Sequence, residues 1–311
     1  MTEYRNKIRD LLKHYNIGAL RYADDQSHGY ANKNFKIVTS SGNYFTRFCL
    51  QQAVENVEQE IILMKVLEEN SFKTAYPVRR NDGDFISYVD KVPVIIYDFL
   101  DGQLPGINDL TVSEIARAVA LLSTFEVVPG LNKKNAISVE DSIEIMGWDV
   151  FRDFKHRDVT ENFQRLFEVL KPVLDYKLPT GIVHGDVFPD NTLFKDKRLI
   201  GLVDFEEFAI DTLLFDVGMS VNGFCFKDTI MDAGHIEIFI SEYCTVRPLS
   251  KPEKELIVDY MAWGAVGMTS WHLHQLLFKK NSRQLERVRV LLKRADIILS
   301  NRLLIENLIK Q

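Results

Sequence analysis

The stretch over residues 181–194 decides how this chain folds, and it reads Gly-Ile-Val-His-Gly-Asp-Val-Phe-Pro-Asp-Asn-Thr-Leu-Phe. A short apolar run leads into a turn that ends on Asp186, and Asn191 follows five residues later. The pattern after it predicts a hairpin over 193–203, whose returning strand ends on Asp204. The sequence therefore predicts two carboxylates and an amide at the mouth of one hairpin-like unit.

These three polar side chains form the set that phosphoryl transfer requires. A carboxylate such as Asp186 lies beside the attacking hydroxyl, while Asn191 and Asp204 offer oxygen ligands to hard Mg2+ ions. Either acid taken singly also fits an ordinary role as a turn residue. The combination with His184, placed between apolar strands, favours the chemical interpretation.

The motif resembles a known kinase pattern. The residues His184-Gly185-Asp186, Asn191 and Asp204-Phe205-Glu206 have the spacing of the protein-kinase motifs, with Gly185 in place of Arg and Glu206 in place of Gly. Those two changes resemble the small-molecule kinases of the protein-kinase-like fold, which include aminoglycoside phosphotransferases and choline kinases. The runs 183–194, 211–218 and 222–226 most resemble bacterial homoserine kinases of this fold.

The resemblance implies a fold, an activity and two cofactors. The fold is α+β and protein-kinase-like with two lobes, a small β-rich one and a mostly helical one. We expect residues 1–100 to form the nucleotide-binding lobe and residues 101–311 the catalytic and substrate lobe. The activity is ATP- and Mg2+-dependent phosphorylation of a hydroxyl on a small molecule, with L-homoserine as the leading acceptor.

The N-terminal lobe supplies the predicted partners of the ATP phosphates. Arg47 lies in the second strand of a predicted hairpin, where the family places a cation that meets the α- and β-phosphates. The alternative for Arg47 is an edge-strand side chain in solvent. A helix predicted at 54–70 carries Glu60, which we expect to pair with Arg47 because it lies mid-helix beside the apolar stripe; the alternative, a position on a solvated helix face, applies equally to Glu58.

The resemblance implies that two further segments bind the nucleotide. The loop at 26–33, with Ser27 and Gly29, occupies the place where kinases fold a turn over the phosphates, but one glycine makes a weak motif. Residues 98–102 resemble the hinge between lobes. There we expect backbone groups of Asp98 and Leu100 to contact adenine.

Candidate acceptor residues follow the hairpin. Glu206 and Asp211 belong to an acidic cluster, with Glu207, that is suited to an ammonium group. Asp211 has an alternative role as the N-cap of a helix predicted from about 212. We expect Arg247 to bind a substrate carboxylate.

Two residues near the motif are predicted to be structural. The family supports the catalytic turn with an aspartate, which is Asp216 in this chain. We expect His184 to brace the same turn rather than to react, because the chemistry needs no phosphohistidine.

Rival functions stay open at this point. Choline, ethanolamine, an aminoglycoside or a sugar are alternative acceptors. Choline requires an aromatic cage for its quaternary ammonium group, and Trp263 and Trp271 are candidates for such a cage. Such aromatics are more often core residues. A nucleotide-binding pseudokinase is a rival from another class, supported by the poor glycine loop and the missing strand lysine, but opposed by the retained acids.

Composition restricts the partners and the compartment. The net charge of −6 argues against a nucleic-acid surface. The three cysteines lie far apart without metal-site spacing, as in reduced cytoplasmic proteins. No apolar run is long enough to span a membrane, and the N-terminus is too polar for a signal peptide. The sequence therefore predicts a cytoplasmic enzyme that acts on a small hydroxylated molecule, away from nucleic acid and membranes.

Overall fold

The computed structural model describes residues 2–26, 32–278, 281 and 283–309. Its first part is a five-stranded antiparallel sheet with strand order β1-β2-β3-β5-β4. The strands are β1 Leu20–Asp25, β2 Lys33–Thr39, β3 Asn43–Phe48, β4 Ile86–Val89 and β5 Val92–Asp98. Two helices pack on it, α1 at Thr2–Leu11 and α2 at Val54–Glu69.

Strand alternation distributes the buried side chains of this sheet between two faces. Phe48 and Ile96 belong to the core that packs against α1. Ile95 packs with Val57 of α2 in a separate core on the opposite face. Arg47 precedes Phe48 in the strand and therefore points to the α2 face, where it is only 3% exposed. The alternative of a solvent-exposed edge arginine is wrong.

The remainder of the chain is mostly helical. Its helices are α3 Asp109–Leu122, α4 Val139–Gly147, α5 Asp149–Arg152, α6 Arg157–Leu174, α7 Leu214–Phe224, α8 Ala233–Val246, α9 Lys251–Phe278, α10 Gln284–Ser300 and α11 Arg302–Ile309. Its short strands are β6 Thr180–Val183, β7 Thr192–Lys195, β8 Arg198–Leu202, β9 Ala209–Thr212, β10 Phe226–Lys227 and β11 Ile230–Met231. This arrangement of a β-rich first part and a helical remainder confirms the predicted fold class.

One large apolar core holds the helical part together. Helices α7 and α9 approach closely in it, since a Cβ atom on Gly218 would lie 2.1 Å from the carbonyl oxygen of Tyr260. The absence of a side chain at Gly218 thus permits the two backbones to touch. In the described part of the chain, no helix has both the length and the apolar character needed to cross a bilayer.

Two strand pairs bring the motif segments side by side. The end of β6 pairs with the start of β9, at Val183 and Ala209. The start of β7 pairs with the end of β8, at Thr192 and Leu202. The connection after β6 and the connection after β8 therefore run next to each other, and both carry predicted site residues.

Candidate active site

A cleft of about 520 Å³ lies between the five-stranded sheet and the two adjoining connections. Its lining includes four predicted site residues that are far apart in sequence. These are Arg47, Glu60, Asn191 and Asp204. The apolar part of the lining comes from both parts of the fold and includes Phe45, Met64, Ala75, Tyr97, Leu193, Val203 and Phe205. The cleft is thus apolar along its walls and charged where the two parts meet.

The turn after β6 is held by a neutral histidine. His184 is fully buried, and its Nε2 lies 2.9 Å from the carbonyl oxygen of Val203. The backbone amide of Asp186 donates to His184 Nδ1 at 3.2 Å, which requires Nδ1 to be the unprotonated nitrogen. Burial lowers the pKa of His184 to about 4, so the ring is uncharged at neutral pH. Its contacts are those of a brace for the turn.

Asp216 fixes the same turn from α7. Its carboxylate accepts the backbone amides of His184 at 2.6 Å and of Gly185 at 3.0 Å. Gly185 has a positive φ of 86°, and a Cβ atom there would lie 2.2 Å from the carbonyl oxygen of Glu207. The turn therefore requires glycine for its backbone conformation and for its close contact with the neighbouring connection.

Asn191 contacts Asp186 directly. Its Nδ2 donates to the backbone oxygen of Asp186 at 2.8 Å and to the Oδ2 atom at 2.7 Å. Because both of these oxygens accept hydrogen bonds, the nitrogen end of the Asn191 amide faces Asp186. The Oδ1 atom of Asn191 is then available to another ligand. The two residues are therefore oriented together by the Pro189–Asn191 turn.

The carboxyl group of Asp186 has an unusual environment for an acid. Burial, with the charge of Asp190 as the next cause, raises the pKa of Asp186 to about 7. The hydrogen bond from Asn191 acts in the opposite direction. A carboxylate whose pKa lies near neutrality is well matched to the transfer of a proton from a hydroxyl.

Arg47 joins the sheet to the second connection. Its Nη1 donates to Asp204 Oδ1 at 3.1 Å, while its Nη2 lies 2.5 Å from Glu60 Oε1. Tyr97 completes the cluster, because its hydroxyl lies 2.8 Å from Arg47 Nη2 and donates to Glu60 Oε1 at 2.7 Å. Burial lowers the pKa of Arg47, but the Glu60 carboxylate beside the guanidinium raises it. The pKa of Arg47 therefore lies well above its usual value. Glu58 is exposed, so the structure selects Glu60 as the partner.

The donor atoms in the cleft fit a magnesium ion. Asp204 has a left-handed backbone conformation with φ of 66°, and its carboxylate stays about 40% exposed beside Arg47. Asn191 Oδ1 and the Asp204 carboxylate are hard oxygen donors that line the same space. Mg2+ is commonly held by one or two protein oxygens together with phosphate oxygens of a nucleotide. The chemistry of this donor set is therefore appropriate for the metal.

The predicted hinge also lines the cleft, through Asp98, Phe99 and Leu100. The backbone amide of Asp98 donates a hydrogen bond to the carbonyl oxygen of Tyr76 at 2.9 Å. The carbonyl oxygen of Leu100 accepts one from the backbone amide of Gly102 at 3.0 Å. The Asp98 side chain is partly open to solvent, and the partial desolvation of its carboxyl group raises its pKa. Ser27 and Gly29, which were predicted to cover phosphates, lie outside the described residues.

Glu206 contacts the sheet rather than open solvent. Its Oε2 accepts a hydrogen bond from Asn32, and its backbone oxygen accepts one from the Lys133 ammonium. Burial, followed by the charge of Asp204, raises the pKa of Glu206. Its carboxylate is therefore already engaged with Asn32 at the boundary between the two parts of the fold.

Two predicted acceptor residues lie elsewhere. Asp211 is in β9, where its Oδ2 accepts from Asn135 at 2.7 Å, and α7 begins only at Leu214 without a side-chain cap. The N-cap role for Asp211 is wrong, because β9 extends beyond it. The cleft lining, as far as the chain is described, does not include Asp211.

Arg247 ends α8 and is already occupied. Its Nη2 lies 2.8 Å from Glu253 Oε1, and its Nη1 donates to Tyr243 at 3.2 Å. The buried Glu253 carboxylate neutralises the guanidinium. Its charge is therefore already paired, and the described lining of the cleft does not include Arg247.

Two residues that contact the predicted site residues were not predicted from the sequence. Tyr97 belongs to an apolar run, and only the strand register, which places it on the α2 face, indicates its contact with Arg47. Lys133 comes from the loop between α3 and α4, where nothing in the local sequence indicates a site. Its ammonium lies 5.0 Å from the centre of the Phe208 ring, and burial lowers its pKa.

Comparisons with known proteins agree with this geometry. Residues 26–247 match the model of the phosphotransferase enzyme family. A homoserine kinase of Bradyrhizobium sp. (strain ORS 278) is 30% identical over 263 residues, which cover 81% of this chain and 79% of that protein. The chain is also similar to two solved structures at low sequence identity.

The first of these structures is a microcompartment-associated aminopropanol kinase, with a TM-score of 0.75, 16% identity and coverage of 96% of this chain and 98% of the other. The second is an amicoumacin kinase in complex with AMP-PNP and Ca2+, with a TM-score of 0.72, 11% identity and coverage of 94% and 93%. These two show the fold. The family match and the curated relative together identify the chain as a member of the phosphotransferase enzyme family, an ATP-dependent kinase that acts on an alcohol group of a small molecule.

Proposed function

We propose that the protein transfers the γ-phosphoryl group of ATP to the side-chain hydroxyl of L-homoserine in a Mg2+-dependent reaction. The observation that carries this proposal is that Asn191 and Asp204 line one cleft while Asn191 is hydrogen-bonded to the Asp186 carboxylate. The acceptor is proposed from the similarity to the Bradyrhizobium homoserine kinase. Fold similarity alone does not indicate a substrate, since related kinases act on different alcohols.

Each residue of the cleft has a role in this proposal. Asp186 orients the hydroxyl and accepts its proton, while Asn191 Oδ1 and the Asp204 carboxylate hold the metal. When bound, Mg2+ would neutralise the negative charge that develops on the phosphate oxygens. Arg47, held by Glu60, supplies a fixed positive charge to the α- and β-phosphates. Preorganised charge of this kind needs little rearrangement during the reaction.

The nucleotide is proposed to lie against the hinge. Backbone groups of Asp98 and Leu100 would contact adenine, and the apolar walls of the cleft would cover its ring. We accordingly place the boundary between the nucleotide-binding and the substrate lobe near residue 100. A cytoplasmic location is part of the proposal, and it is supported by three cysteines that are all free thiols.

A choline-type acceptor is the second candidate, and one cavity favours it. A space of about 360 Å³ beside α4 and α9 is lined by Trp148, Trp271 and His274 together with Glu144. Aromatic faces and a carboxylate are the groups that bind a quaternary ammonium. Trp263, by contrast, is only 4% exposed and belongs to the core.

The acceptor assay separates these candidates. Purified protein with Mg-ATP is expected to phosphorylate L-homoserine, with at least about 100-fold lower kcat/KM on 4-hydroxybutyrate, which lacks the amine, and on choline, which lacks the carboxylate. The measurement is ADP release with each compound. If the protein phosphorylates choline but not homoserine, its assignment as a kinase stands and homoserine is rejected as the acceptor.

The buried Arg47 cluster leads to a prediction on stability and ATP use. Arg47→Ala is expected to lower the free energy of unfolding by about 3–5 kcal/mol, because it leaves the Glu60 carboxylate buried without its partner. Arg47→Lys is expected to fold and to raise the KM for ATP about tenfold, since a lysine cannot reach Glu60, Asp204 and phosphate together. Thermal unfolding and ATP kinetics measure the two effects.

Arg79→Ala is the matched control, since Arg79 is an exposed arginine that donates to the carbonyl of Gly83. It is expected to leave the KM for ATP unchanged and to lower the free energy of unfolding by no more than about 1 kcal/mol, because it also removes the contact of the Arg79 guanidinium with the Phe85 ring at 4.5 Å. An Arg47→Ala protein with wild-type unfolding and wild-type ATP kinetics would contradict the role proposed for the cluster.

A further inference from the structure

A half-buried arginine lies against the turn that carries Asp186. The guanidinium carbon of Arg287, in α10, is 5.7 Å from the centre of the Phe188 ring. The backbone amide of Phe188 in turn donates to the carbonyl oxygen of Asp186 at 3.0 Å. Arg287 therefore contacts the turn at a residue whose backbone is hydrogen-bonded to that of the proposed proton acceptor.

The charge of Arg287 is not compensated by its surroundings. Among residues 2–26, 32–278, 281 and 283–309, no carboxylate pairs with its guanidinium and no group accepts a hydrogen bond from it. Arg294, two helical turns further along α10, adds a second positive charge. That guanidinium donates to the backbone oxygens of Asp228 at 2.6 Å and Asn222 at 2.5 Å, which are neutral acceptors.

The titratable neighbours show the same excess of positive charge. Burial lowers the pKa of Arg294 to about 10, the charge of Arg287 contributes in the same direction, and the Asp228 carboxylate opposes the shift. His272 of α9 lies near Arg287, and its Nδ1 donates a hydrogen bond to Gln284 Oε1 at 2.7 Å. Burial, with Arg287 as a further cause, lowers the pKa of His272 to about 4, so this histidine is neutral. Asp228 supplies an anion to this region, but its charge acts on Arg294, and within the described residues no carboxylate pairs with Arg287.

A free carboxylate contacts the other end of the turn. Glu207 approaches Gly185 so closely that a Cβ atom on that glycine would lie 3.4 Å from the Glu207 Cβ. Its carboxylate is half-buried and has no hydrogen-bond or ion-pair partner within the described ranges. Burial raises the pKa of Glu207, and the Lys133 charge opposes this shift. Glu207 at Gly185 and Arg287 at Phe188 therefore flank Asp186 along the chain.

We propose that Arg287 binds the carboxylate of the acceptor and Glu207 binds its ammonium group, with the hydroxyl directed to Asp186. This inference rests on the proposed function, because it assigns the two charged groups of homoserine to two residues of the same site. A charged pair of this kind recognises an α-amino acid and discriminates against amino alcohols and hydroxy acids. It also replaces Arg247 and Asp211, whose charges are used elsewhere.

Arg287→Met tests the carboxylate contact. The methionine keeps apolar packing over Phe188 but removes the charge. We expect kcat/KM for homoserine to fall about 10- to 100-fold, while kcat/KM for 3-aminopropan-1-ol, which lacks the carboxylate, and the KM for ATP stay unchanged. Arg287→Lys should recover part of the loss. Arg289→Ala is the matched control on the same helix, because its exposed partner is Asp158.

Glu207→Gln tests the ammonium contact in the complementary way. Its kcat/KM should fall for homoserine and for 3-aminopropan-1-ol and stay unchanged for 4-hydroxybutyrate. Wild-type protein that phosphorylates homoserine, together with an Arg287→Met variant of unchanged homoserine kinetics, overturns this inference and leaves the proposed function intact. Equal losses on homoserine and on 3-aminopropan-1-ol in Arg287→Met also overturn it. Wild-type protein that does not phosphorylate homoserine rejects the proposed function, and the inference with it.

Discussion

Replacement of Asp186 by Asn is expected to lower kcat by about 100- to 10,000-fold, the range that a positioned general base contributes. The amide has nearly the same shape, and its oxygen still accepts the hydrogen bond from Asn191 Nδ2. It cannot accept the proton of the attacking hydroxyl. The KM for ATP should therefore change little, since the variant removes the base and keeps the nucleotide contacts.

Asp175→Asn is the matched control for this variant. It makes the same chemical change in an exposed aspartate that follows α6, and its kcat should equal that of the wild type. Circular dichroism and thermal unfolding of both variants show whether the fold is kept. A kcat for Asp186→Asn within about tenfold of the wild type would reject Asp186 as the proton acceptor.

Loss of the Asp204 carboxylate is expected to have an effect of similar size. Removal of a charged metal ligand costs several kcal/mol of transition-state stabilisation, which corresponds to a loss of about 100- to 10,000-fold in kcat/KM. Asp204→Asn is the preferred variant, because asparagine tolerates the left-handed backbone conformation at this position better than alanine does. Titration calorimetry should show weaker binding of Mg-ATP to this variant.

The fold is expected to survive this change. Arg47 keeps its bonds to Glu60 and Tyr97 when the Asp204 charge is removed. Asp10→Ala serves as the control, since it deletes an exposed carboxylate that pairs with Lys13 at the surface of the protein. Turnover of Asp204→Asn with the same Mg2+ dependence as the wild type would reject the metal assignment.

Much of the catalytic turn could be predicted from a short piece of sequence. Asp186 and Asn191 are five residues apart, so a single tight turn is sufficient to place the amide against the carboxylate. The hairpin after Asn191 then returns the chain to Asp204 through pairs such as Thr192 with Leu202. Such contacts depend on local backbone geometry, and for this reason the motif spacing was informative.

The long-range partners were harder to predict. Strand alternation placed Arg47 opposite Phe48, and the apolar stripe of the helix favoured Glu60 as its partner, but only the packing of α2 shows Glu60 buried against Arg47 and Glu58 exposed. The expectations for Asp211 and Arg247 relied on charge and proximity in sequence. Both side chains have other partners, Asn135 and Glu253, in the folded chain.

The sequence by itself determined the catalytic motif, because turn spacing acts over a short distance along the chain, and the resemblance of that motif to small-molecule kinases implied the fold class. Only the tertiary structure decided which charged residues are free to meet a substrate. Arg287 lies about a hundred residues after Asp186 in the sequence, and α10 brings it against Phe188. Whether a charge is available depends on which opposite charge packs beside it, and that is a property of the folded core rather than of any local pattern.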